Sequence, residues 1–111
     1  MSYLTGHIQL PANAPTGKAA IVRVELRDVS LADAPSTVVV EQVLKSVRLA
    51  PGAKIPFRLA MPMDDPSRRL ALRAHVDING TGRTLPGDLL TTQSYPVTVE
   101  TDSADISVTL L

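Results

Sequence analysis

The chain contains no cysteine, which excludes disulfides, thiolate zinc sites, a cysteine nucleophile and a lipid-modified N-terminal cysteine. Its fold must stand on packing alone. Aromatic residues make up only 3% of the sequence against 44% hydrophobic residues, so the interior is built from Val, Leu, Ile, Ala and Met. Net charge is missing as well: 11 Lys and Arg balance 11 Asp and Glu. That removes the long-range attraction on which sequence-independent nucleic-acid binding depends, and no nucleic-acid partner is expected. No apolar run is long enough to span a bilayer, and the opening stretch MSYLTGHIQLPA has neither a basic leader nor a signal-length apolar segment. The expectation is a soluble, cytoplasmic chain as written, or a periplasmic or envelope protein if an export segment preceded it.

What the chain does have is alternation. At 111 residues it fits one domain, 1–111, with a single core. The clearest stretch is 70–78, where Leu70, Leu72, Ala74, Val76 and Ile78 alternate with Ala71, Arg73, His75 and Asp77, the period of a strand with one wet face. Asn79 and Gly80 follow with the positive-φ tolerance of a hairpin turn. Leu4, Gly6, Ile8 and Leu10 predict an earlier strand ended by Pro11, and Val22, Val24 and Leu26 another. Ile55, Phe57, Leu59 and Met61 predict a strand that Pro56, lacking an N–H, places at a sheet edge. Tyr95, Val97 and Val99, then Ile106, Val108 and Leu110, supply the last two.

The segment 37–49 is ambiguous, because Val39, Val43 and Val47 would also line one face of a helix. The β-branched run Val38, Val39 and Val40 favours a strand, with a bulge near Gln42 to reconcile its two phases. Seven to eight short strands between turn signals, with no clear helix, predict an all-β antiparallel β-sandwich, with a small barrel as the alternative.

Chemistry-bearing residues are sparse. In the loop 77–88, Asp77, Asn79 and Thr81 supply side-chain oxygens at the first, third and fifth positions, Gly82 stands at the sixth and Asp88 at the twelfth. This is much of the spacing by which a tightly turning loop points oxygens at calcium. Leu85 at the ninth position and the short Asp88 arm depart from it. A hairpin loop that uses Asn and Gly for φ and Asp for capping accounts for the same residues. Calcium is thus the one candidate cofactor, with Asp77, Asn79, Thr81 and Asp88 as its ligands.

His75 and Asp77 point the same way from one strand and are expected on its exposed face, as surface hydrogen-bonding groups. His7 is the only other histidine. Ser94 and Ser103 lack a nucleophile-elbow context, Asp64 and Asp65 read as solvated turn residues, and Arg68, Arg69 and Arg73 as part of a mixed polar face. Without nucleophile, base and oxyanion donors, no enzyme is expected.

Three segments carry a resemblance: VELRDVSLADAPS at 24–36, IPFRL at 55–59 and LRAHV at 72–76. They resemble the YbaY/YscW family of type III secretion lipoprotein chaperones, with coverage from about residue 6 to 111. The resemblance implies a small β-sandwich, in many members an envelope lipoprotein, and in the YscW type a pilotin that helps an outer-membrane secretin reach its place and assemble. YbaY-type members mostly lack an assigned activity, and the family implies no catalytic residues. The export signal and lipidated cysteine of the family are not in this sequence, and the loop 79–88 is longer and richer in glycine than the family's short turn. The expected function is a non-enzymatic protein-interaction module, chaperone- or pilotin-like, binding a polypeptide at an exposed strand edge or an apolar groove between the sheets. A calcium-binding sandwich is the alternative.

Overall fold

Alternating apolar residues in nine segments pair into two sheets that bury one aliphatic interior. The computed structural model describes residues 2–31, 33–62 and 67–111. Its strands are β1 (Tyr3–Gln9), β2 (Gly17–Asp28), β3 (Thr37–Leu49), β4 (Lys54–Ala60), β5 (Leu70–Asp77), β6 (Leu89–Leu90), β7 (Tyr95–Val97), β8 (Ser103–Ser107) and β9 (Thr109–Leu110). One sheet has the order β4-β1-β8 and the other β3-β2-β5-β6-β9, with β7 also pairing β5. The all-β sandwich is as the alternation predicts. Among the described residues no helix is long and apolar enough to cross a membrane.

One pairing departs from a purely antiparallel reading: β1 runs parallel to β8, with Gly6 opposite Ala104. The C-terminal segment, read as a single strand, in fact serves both sheets. β8 lies beside β1, the Val108 N–H donates to the carbonyl of Gln9, and β9 then pairs with β6 in the other sheet. That crossing ties the two layers together along one side of the sandwich.

The interior is filled from both layers: Leu4, Ile8, Ile55, Leu59 and Ile106 from the smaller sheet, Val22, Val24, Leu26, Leu70, Leu72 and Val76 from the larger, all at most 4% exposed. Burial of each such side chain stabilises by about 1.5–3 kcal/mol, so this shared core is the main source of stability in a chain without disulfides. Gly6 faces the same interior. A Cβ there would run into the carbonyl oxygen of Ala104 and the ring of Phe57, so only glycine lets β8 and the single phenylalanine approach β1 this closely.

The segment 37–49 is a strand throughout, and it forms the outer edge of the larger sheet. Its bulge is not near Gln42. The register slips where Leu26 faces Val40 and Arg27 faces Val38, leaving Val39 as the extra residue, and Ser46 makes a second break with φ of 53°. Gln42 instead pairs regularly with Val24 and reaches across to the other sheet, its Oε1 accepting the Arg58 N–H at 2.8 Å. Pro56 lies on β4, the edge of the smaller sheet, as its missing donor predicts. Asp64 and Asp65 lie outside the described residues.

Candidate functional site

Two places gather polar or apolar groups beyond what the core needs. The first is the loop joining β5 to β6. His75 and Asp77 alternate out of the core as predicted, yet they are not on an exposed face: His75 is 8% exposed, Asp77 0% and Asp88 1%. The reason is the loop 78–88, which folds back over the outer face of β5 rather than turning tightly at Asn79 and Gly80.

Asp77 is the anchor of that fold-back. Its Oδ1 accepts the N–H groups of Gly80 at 2.9 Å and Thr81 at 3.2 Å, and its Oδ2 accepts Gly82 N–H at 2.9 Å and Arg23 Nη1 at 3.2 Å. Gly80 and Gly82 take φ of 69° and 80°, left-handed values that let successive N–H groups point inward at one carboxylate. Asp88 closes the loop from its far end, Oδ1 accepting Ile78 N–H at 3.1 Å and Oδ2 accepting Leu85 N–H at 3.1 Å and His75 Nε2 at 2.9 Å. Burial pushes the Asp77 carboxyl up, but the donors from Gly82, Arg23, Thr81 and Gly80 together outweigh it and hold the group below its ordinary value.

Ligand atoms of His75, Asp77 and Asp88 lie within 4.8 Å of one another. All four carboxylate oxygens, however, already accept protein hydrogen bonds, and Arg23 supplies the cation. Of the four expected calcium ligands, the structure brings together Asp77 and Asp88. Thr81 Oγ1 instead accepts the Arg83 N–H at 3.2 Å, and Asn79 is exposed. The arrangement is that of a loop clamp, and a metal ion would have to displace both Arg23 and the peptide donors. Arg23, which sequence reasoning did not single out, was legible only as an outward residue of β2; its register opposite His75 comes from the pairing.

The second place is the family-marker segment after β2. Asp28 accepts Ser30 N–H at 2.9 Å and Arg68 Nε at 2.9 Å, and the Ser30 donors with the Arg68 guanidinium hold its carboxyl at about 2. Ser30 Oγ accepts Arg69 N–H, and Val29 N–H donates to the Arg69 carbonyl at 2.8 Å. At the other end Arg27 donates from Nε to Ser36 Oγ at 2.7 Å and from Nη2 to the Ser36 carbonyl at 3.0 Å. These bonds hold the two ends of the loop, where Val29 is 40% exposed, Leu31 73%, and Val38, next to the loop on β3, 44%. Arg68 thus serves this loop, while Arg73 approaches Glu25 at 3.9 Å.

Among the described residues no catalytic set assembles. His7 lies on the smaller sheet, its Nδ1 3.4 Å from Asp105 Oδ1. Among the described residues neither Ser94 nor Ser103 is hydrogen-bonded to a histidine, and no buried side-chain nitrogen or oxygen lacks a partner.

No curated protein matches the chain. A solved structure, that of an alternative pilotin from the type II secretion system of Vibrio cholerae, aligns with a TM-score of 0.71 at 24% identity, covering 96% of this chain and 94% of that one; at that identity the likeness shows a shared fold. The family match spans residues 1–110 and carries the description type III secretion system lipoprotein chaperone. The chain therefore belongs to the YscW family of type III secretion system lipoprotein chaperones.

Proposed function

We propose that this protein is a pilotin-type chaperone that docks an apolar segment of an outer-membrane secretin subunit on the surface formed by Val29, Leu31 and Val38. Chaperones and pilotins act by binding, and membership of the family supports reading this chain as a non-enzymatic interaction module with a polypeptide partner. The observation that carries the choice of surface is the loop 28–36. Asp28, Ser30 and Ser36 are held by Arg68, Arg69 and Arg27, while Val29 and Leu31 between them present aliphatic side chains to water. Exposed apolar side chains grouped into one patch mark a protein contact, and a surface held in place before binding lowers the entropic cost of binding.

Placing a photo-crosslinking amino acid at Leu31 in the native cell tests this. An adduct with a secretion-system component, absent when the same group is placed at Gly52 on the far turn, is the expected result. Adducts of equal yield from both positions would remove the proposal.

A further inference from the structure

We propose that the edge of β3 is a self-association surface, pairing antiparallel with β3 of a second copy about a two-fold axis through Val43. β3 is 13 residues long and has β2 on one side only. Such an edge offers a row of free N–H and C=O groups. The Val39 bulge and the left-handed Ser46 bound its regular middle, 40–45, about the length of an ordinary strand.

Charge selects the occupant and the register. Among the described residues neither Glu41 nor Lys45 has an ion-pair partner. Glu41 also stands directly across from Glu25, whose charge is already met by Arg27 at 3.0 Å. A two-fold axis through Val43 sets Glu41 of each copy opposite Lys45 of the other, twice over, and brings the 41% exposed Val43 against its own copy. Opposite charges in facing positions stabilise a ladder and like charges destabilise it. Registers centred on Glu41 or on Lys45 would place like charges face to face, and those centred on Gln42 or Leu44 would set both charges opposite valines, so the pairing through Val43 is the one in which both charges are met. The contact is isologous, as closed dimers require. It leaves Leu31 and Val29 uncovered by the strand pairing itself, and it stands independently of the docking proposed above.

The test uses sedimentation velocity on the purified chain, with Glu41→Lys and Lys45→Glu made separately. The wild type is expected to dimerise reversibly in the micromolar range, as suits a contact confined to one strand edge. Each variant alone confronts like charges at both positions and is expected to associate at least about tenfold more weakly. An equimolar mixture of the two restores both opposite-charge pairs, so it is expected to recover the dimer as a heterodimer. A general loss of folding cannot produce that rescue. A wild type that stays monomeric at high micromolar concentration overturns the proposal, as does a dimer indifferent to both variants or a mixture that fails to reassociate.

Discussion

Arg23 on β2 and Asp77 at the end of β5 meet at 3.2 Å beneath a loop that Asp77 itself organises. The carboxylate is fully buried while the guanidinium keeps partial access to water. Removing the charge by Asp77→Asn puts an amide among four donors, of which only those at one oxygen can still be satisfied. Loss of buried charge-assisted hydrogen bonds costs about 1.5–3 kcal/mol, and urea unfolding should show a decrease of about that size. Exchange of the Gly80, Thr81 and Gly82 amides should accelerate in the same variant.

The same carboxylate gives the protein a directional response to acid. Asp77 is held below its ordinary value and Asp28 at about 2. Both groups therefore bind protons more readily when the chain is unfolded, so their contribution is complete above the unfolded carboxylate value of about 4 and falls away as pH drops below it. For Asp28 the decline continues to about 2. Urea midpoints measured downward from neutrality should be level until about pH 5 and then fall. Asp77→Asn should flatten part of that decline.

Hydrogen bonds at every oxygen of Asp77 and Asp88 lead to a prediction about calcium. A ligand bound to the folded state must raise the melting midpoint by mass action, whereas a clamp already closed by Arg23 and peptide N–H groups has no call for an added cation. Thermal melting with millimolar calcium, and again with chelator, should give coincident curves. A rise with calcium would instead assign Asp77, Asn79, Thr81 and Asp88 as ligands.

Gly6 offers a mutation in which size alone is changed. Gly6→Ala drives a methyl group into the Ala104 carbonyl and the Phe57 ring, and overpacking of this kind costs about 1–3 kcal/mol or more. The variant should melt earlier, and the loss should concentrate on β8, seen as faster exchange of its amides than of those in β2.

Much of this was legible in the sequence because the core is two-sided and the period of a strand is two. Val22, Val24 and Leu26, and Leu70 to Val76 in steps of two, face the interior as read. The β-branched run of β3 and the missing donor of Pro56 also pointed correctly to a strand and an edge. The failures concern how segments fold back on or pair with one another. Alternation says which way His75 and Asp77 point, but not that the loop 78–88 directly after them will fold back and cover them. It could not show that the last strand serves both sheets, nor that the slip in β3 falls at Val39 instead of Gln42, since both depend on partners distant in the chain. In the segment 24–36, the family resemblance was visible as a pattern. Its physical content, Asp28, Ser30 and Ser36 bonded to arginines while Leu31 faces out, emerged only with the fold.

The account depends most on the surface at Val29, Leu31 and Val38, and the direct test is the affinity of a purified secretin subunit for the wild type and for Leu31→Glu. Because Leu31 is 73% exposed, the substitution should leave stability within about 0.5 kcal/mol, which unfolding of the same samples verifies. Binding by the wild type and at least about tenfold weaker binding by the variant, about 1.4 kcal/mol, is the result the account predicts. Equal binding by both proteins, or none by the wild type, would contradict it.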